Sequence, residues 1–317
     1  MDTTGAATRG FLVNGSLIAA FALLHGVALL IVPFALLPRS AWWALCLAPV
    51  ALLSNTLWSL VHEAIHGHLL TDRRANERAG RLLAILHGAS FRPLRAGHLA
   101  HHRYSRTMRE RSEVYDPAAE SRSAAAWAYY PRILGGLYVV EILGTVSSLL
   151  PRRLLAGLAR RLDREDSVAG IVMDSVLQPD ALAAVRLDAI AMCALYGTSS
   201  WLYGASAWML AAAIAVRGLL VSIADNAYHY GTALDRPREA RNLAGPRWLH
   251  ALLLDFTLHG AHHIHPTVPW FALRRRFEHA GARYDGRWFR AVLAQLAGPI
   301  PLPALRPMPG LLPEHEG

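Results

Sequence analysis

The stretch His259-Gly260-Ala261-His262-His263 repeats an earlier one, His98-Leu99-Ala100-His101-His102, in the same H-x-x-H-H spelling. On a helix, residues i, i+3 and i+4 share a face, so each copy presents three imidazoles in one direction. A third stretch, His62-Glu63-Ala64-Ile65-His66, sets two more imidazoles one helical turn apart. Together they offer eight nitrogen ligands, too many for one metal ion and suited to two. The chain holds sixteen histidines, yet at that frequency two such copies arise by chance in roughly one chain in a thousand.

Outward from these boxes the chain is apolar. Phe11 to Leu37, Ala41 to Val61 and Trp201 to Val216 carry no acidic or arginine side chain, and the composition is 53% hydrophobic and 17% charged. Runs of that length and composition read as membrane crossings. The expected fold is an all-α integral membrane protein with four transmembrane helices in two hairpins, at about 11–61 and 187–224. A cytoplasmic helical cap, about 62–186 and 225–298, carries the boxes. A proline-rich, extended tail follows at 299–317, and the whole of 1–317 is read as one domain. The first run is longer than the apolar part of a signal peptide and lacks a credible cleavage site, so no cleaved signal is expected.

Sidedness follows from arginine. The net charge is +9 and the chain has no lysine. Arg73, Arg74, Arg78, Arg81, Arg92, Arg95, Arg103, Arg106, Arg109 and Arg111 crowd the segment of the second box, which the positive-inside rule places in the cytoplasm. The basic excess is read as topology, and no nucleic-acid partner is expected. Ile133 to Leu150 is apolar but is read as interfacial or re-entrant, because a full crossing would put Arg152, Arg153, Arg160, Arg161 and Arg164 outside and strand the third box. Residues 152–164 repeat leucine at helical spacing and read as an amphipathic interfacial helix. Cys46 and Cys193 fall in apolar runs as buried residues without a redox task.

The three boxes between two hydrophobic hairpins resemble the integral-membrane fatty acid desaturase and hydroxylase superfamily, from about the second helix to His265-Pro266. The resemblance implies a non-haem di-iron centre held by His62 and His66, by His98, His101 and His102, and by His259, His262 and His263. His229 matches an additional ligand of the family. Some members carry an Asn four residues earlier that binds through water; here Asp225 takes that place, with Asn226 beside it, which leaves this corner open. The implied reaction is O2-dependent desaturation of a long acyl chain, which could be free or linked to a lipid, coenzyme A or acyl carrier protein. Hydroxylation and decarboxylation to a terminal alkene are the alternatives. No H-P-G-G motif is present, so electrons are expected from a separate donor such as a ferredoxin. Glu63, Asp225 and Asp255 are within about a turn of a ligand and are candidates to orient the rings.

Two other classes compete. His62-Glu63-Ala64-Ile65-His66 satisfies the H-E-x-x-H signature of zinc proteases, but that reading leaves both H-x-x-H-H boxes unexplained. A metal transporter would need polar residues along its membrane helices, whose middles here are apolar. His25, His68, His87, His250, His265, His279 and His315 lie outside the boxes and are read as packing or surface residues.

Overall fold

In the computed structural model, residues 3–164, 167–234, 236 and 239–305 are described; the end of the proline-rich tail, with Pro307, Pro309 and His315, lies outside them. The chain is almost entirely helical. The first helix, α1 (Thr3–Gly26), runs on through a π-helical stretch, Val27–Leu36, that contains Pro33. Proline lacks an N–H and crowds the preceding turn, and the wider helix accommodates it. The chain turns at Leu37 to Ser40 and returns through a short 3₁₀ segment, α2 (Leu47–Leu52) and α3 (Ser54–His66).

This returning arm is not the straight helix expected over 41–61. It bends by 42° at Leu53, where helical hydrogen bonding lapses and carbonyls become free. Arg217 Nη2 donates to Val50 O at 3.2 Å. On the far side of the bend, Thr56 and Ser59 donate to the carbonyls of Leu252 and Leu253 at 2.7 and 2.9 Å, which ties α3 to the segment Arg247–Leu253 that precedes the third box.

The cap begins with α4 (Arg73–His87) and α5 (Phe91–Tyr104). Asp72 caps α4, accepting from Ala75 N at 2.8 Å, and Asn76 donates to Ala64 O at 2.9 Å, fastening α4 to the end of α3. After a polar loop come α6 (Arg122–Pro131), a π-type turn at Arg132–Gly136, and α7 (Leu137–Ser147). Eleven residues rise about 16 Å, too little for α7 alone to cross a bilayer core. The break before it lies at Leu134 and Gly135, and Gly135 has φ +126°, a conformation open to glycine. There the chain packs against Gly218 of the next hairpin, where a Cβ would meet the Tyr138 ring at 3.1 Å.

Next are α8 (Arg152–Leu162) and α9 (Ala169–Leu177). Leu155 and Ala159 of α8 are buried, Leu155 against α9, while Leu154 and Leu158 stay exposed. The helix thus packs with one edge and leaves a second apolar edge outward. α10 (Pro179–Tyr203) starts eight residues before the expected 187, and just inside that expected boundary Asp188 pairs with Arg81 at 2.6 Å. With α11 (Ala207–Asp225) it forms a 50-residue apolar stretch, Pro179–Tyr228. That length rises about 75 Å as one helix, more than twice a bilayer core. The chain instead doubles back at Gly204, φ 51°. Arg217 Nη1 sits 2.9 Å from the Tyr196 hydroxyl, whereas 21 residues along a straight helix would separate them by about 30 Å. Cys193 is exposed on α10 rather than buried; on a helix with an apolar outer face, outward and apolar are compatible.

The last part holds α12 (Arg247–Leu252), α13 (His259–Ile264), α14 (Trp270–His279) and α15 (Trp288–Ala294). Two short parallel pairs pin them down, Val114–Tyr115 with Ile300–Pro301 and Leu243–Ala244 with Gly286–Arg287. Among the described residues, Ala7–Leu36 and Pro179–Tyr228 are long and apolar enough to cross a membrane, and the bent pair Ala41–Leu52 with Ser54–His66 makes a third. The molecule is an integral membrane protein by these helices.

Candidate metal centre

Box one occupies the last turn of α3, which Gly67 ends at φ +81°. Box two is the last turns of α5, and box three is nearly all of α13. His229 follows α11 in a short 3₁₀ turn. These elements bring the nine histidines into two groups. His62, His66, His98, His102 and His262 form one, and His101, His229, His259 and His263 the other; within each group the ligand nitrogens lie within 4.8 Å of one another.

The partition has a helical cause. At 100° per residue, i and i+4 stand about 40° apart, while i+3 trails i by about 60°. Each H-x-x-H-H box therefore gives its first and last histidines to one group and its middle one to the other. His98 and His102 join the first group and His101 the second; His259 and His263 join the second and His262 the first. One box does not present three imidazoles to one point, as the spacing first suggests, but straddles two. His102 and His263 stack between the groups at 4.4 Å.

The nitrogen contacts are those of converging lone pairs. Nε2 of His62 is 3.0 Å from that of His262, His262 is 3.1 Å from His102, His102 is 3.0 Å from His98, and His98 is 3.0 Å from His66. Each Nε2 has a single in-plane site, a proton or a lone pair. His262, His102 and His98 each meet two neighbours, so at most two of these four contacts can be hydrogen bonds. Two nitrogens bound at right angles to one ion, each about 2.1 Å away, lie about 3.0 Å apart. In the second group His101 meets His229 at 3.1 Å and His263 meets His259 at 3.0 Å. The donor set fits two metal ions, five imidazoles at one and four at the other.

Protonation agrees with that fit. Burial first, and then repulsion among the imidazoles, hold His98, His229, His259, His262 and His263 well below the usual histidine range. Neutral imidazole is the form that binds metal. His101 differs. Burial pulls it down, but Glu110 outweighs this and raises it, and the same pairing lowers Glu110 against its own burial. Glu110 Oε1 lies 2.7 Å from His101 Nδ1, which aims Nε2 into the second group. His229 Nδ1 is likewise held, 3.1 Å from Glu239 O.

Sequence reasoning missed Glu110. It stands nine residues after His101, beyond a reversal at Arg106 with φ 63°, so no helical spacing connects them. Of the three carboxylates expected to orient rings, Glu63 is 3.8 Å from His62 Nδ1 and accepts from Trp270 N at 3.2 Å. Asp255 does not support His259: Leu254 and Asp255 are left-handed, φ 50° and 53°, which breaks the turn that would have aligned them. Its carboxylate pairs with Arg274 and lies 3.6 Å from His250. Asp225 stands outside both groups and lines a hollow of about 10 Å³, with Trp58, Ser59, Tyr228, Leu253 and Phe256 among its walls. That volume holds about one water. Asn226 is also outside the groups; its Oδ1 is 3.4 Å from the Ser112 hydroxyl.

The remaining histidines have other surroundings. His68 stacks near His66 at 6.2 Å, His265 lies 3.4 Å from Arg276 Nε, and His279 is exposed. His25 and His87 belong to a buried cluster around Arg217, which donates to Leu86 O, His87 O, Val50 O and the hydroxyls of Tyr138 and Tyr196, and meets His25 Nε2 at 3.1 Å. The signal for it was a lone arginine in an apolar helix, costly unless partnered.

A histidine-lined centre at the mouth of apolar hairpins is the arrangement of a membrane metalloenzyme. The chain belongs to the fatty acid desaturase family, whose pattern matches residues 40–293. It is also 34% identical, over 107 residues, to the β-carotene ketolase of Paracoccus sp. (strain PC1). That match covers 33% of this chain and 43% of the ketolase, so it spans less than half of that relative. No solved structure matches.

Proposed function

We propose that the protein is an O2-dependent, non-haem di-iron oxidoreductase that desaturates a long acyl chain. The observation that carries this is the pair of histidine groups, five nitrogens and four, in a member of the fatty acid desaturase family. All-imidazole iron cycles between ferrous and higher states and activates O2. The chain's own residues hold and aim that chemistry. Glu110 fixes His101, the Glu239 carbonyl fixes His229, and Trp58, Leu253 and Phe256 wall the small hollow beside Asp225. The zinc protease reading fits less well, since Glu63 accepts from Trp270 N and three further imidazoles crowd His62 and His66.

In this reading the hairpins cross four times, both termini and all boxes face the cytoplasm, and electrons come from a separate donor. The arginines of 73–111 favour that side. Trp42, Trp201 and Trp208, exposed beside both hairpin turns, suit the opposite interface. A second reading, oxygenation of a carotenoid, is favoured by the ketolase likeness alone.

Expression in a bacterial host with a supplied donor, followed by mass spectrometry of total lipids, tests the reaction. Loss of two hydrogens is expected. Gain of oxygen on an acyl chain would assign hydroxylation, a terminal alkene one carbon shorter would assign decarboxylation, and oxidation of co-produced β-carotene would assign the second reading.

A further inference from the structure

The first histidine group is open on its cap side. A cleft of about 420 Å³ is lined by His66, Leu99, His102, Arg103, Pro266 and Thr267, so two of the five imidazoles reach an outward surface directly. It lies past the end of α3, whereas the small hollow beside Trp58 lies before His62 on the hairpin side. The centre thus has two unlike flanks, a hollow of about 10 Å³ where Trp58, Leu253 and Phe256 meet Asp225 on one side, and a wide cleft with a basic rim on the other.

The rim of the cleft is built for contact. On α5, Arg95, Leu99 and Arg103 recur at i, i+4 and i+8 and all three are exposed. Arg276, also exposed, stands beside His265 on the opposite side, next to Pro266. Among the described residues none of these three arginines has a carboxylate within ion-pair distance; Arg103 lies over the Tyr104 ring and Arg276 meets His265. Ile264, two residues before Pro266, is 67% exposed. An apolar centre at Leu99 inside unneutralised arginines is the pattern of a surface that steers and seats an acidic protein. A small ligand would be poorly served, because ligand pockets enclose most of their occupant and this cleft is an open shelf.

We propose that this face, centred on Leu99 and rimmed by Arg95, Arg103 and Arg276, docks an acidic one-electron carrier protein that passes electrons through His66 and His102. This rests on the oxidoreductase reading above. In a desaturation O2 takes four electrons and four protons to give two waters; the substrate supplies two of each as it forms its double bond. The other two electrons come from two encounters with reduced carrier, each oxidising one carrier molecule, and two protons come from solvent. Such encounters are brief and suit a small interface.

The test uses full-length, iron-loaded protein in lipid nanodiscs with a plant-type [2Fe–2S] ferredoxin as the probe. Binding of oxidised ferredoxin, measured by surface plasmon resonance, should weaken as salt rises. Arg95→Glu with Arg103→Glu should weaken it about tenfold or more. Arg287→Glu with Arg290→Glu, the same change in charge at exposed positions around the start of α15, should leave it within about threefold. Equal loss in both pairs, or no loss in the first, would overturn the docking face. So would displacement of ferredoxin from wild type by palmitate, which would give the cleft to an acyl chain. Reduction of the bound iron by dithionite is followed separately on wild type: its failure would refute the redox reading, while the binding comparison would still decide the docking face.

Discussion

Replacing His101 or His262 by Ala removes one nitrogen from one group and leaves the other group whole, so product should vanish while membrane insertion persists. Insertion depends on the apolar helices, and it can be followed by membrane fractionation beside product analysis. His279→Ala, on an exposed turn, should be nearly silent. Glu110→Gln keeps the shape but loses the charge on His101 Nδ1, and should lower metal affinity of the second group about 10- to 100-fold, read by competition with a chelator. The eight box histidines were legible because helical spacing and family likeness both point to them, and His229 through the family likeness alone. Glu110 and Asp255 were not, for one physical reason: residues in left-handed conformation, Arg106, Leu254 and Asp255, interrupt the period on which spacing arguments rest.

At the scale of elements, the third box depends on how closely two backbones approach. A Cβ on Gly260 would lie 2.4 Å from Ala240 O, and Gly260 N donates to Arg241 O at 3.2 Å. Gly260→Ala should therefore displace α13, with a cost of about 1–3 kcal/mol and loss of metal first from the second group, measured as thermal stability and iron content. Arg217 plays the matching part inside the hairpins, donating to groups on α2, α4, α7 and α10 from its place on α11. Arg217→Leu strands those acceptors and should lower the melting temperature more than any substitution on the outer faces of the same helices. The reversal at Gly204 follows from hydrophobicity. The bend at Leu53 does not, because its compensation lies in partners far away in sequence, at positions 217, 252 and 253.

At the scale of the whole molecule, the nine histidines collect at the ends of α3, α5 and α11 and on α13. Sidedness can be tested by labelling single cysteines in intact cells and inverted vesicles. Cysteines near Ser112 and Arg241 should react only from inside, and those near Arg39 and Gly204 only from outside; external labelling near Ser112 would undo the four-crossing arrangement. The central claim is that the two histidine groups hold two irons. Metal analysis of detergent-purified protein tests it most directly: about two irons per chain are predicted, falling on His101→Ala or His262→Ala, whereas stoichiometric zinc without iron would contradict the account.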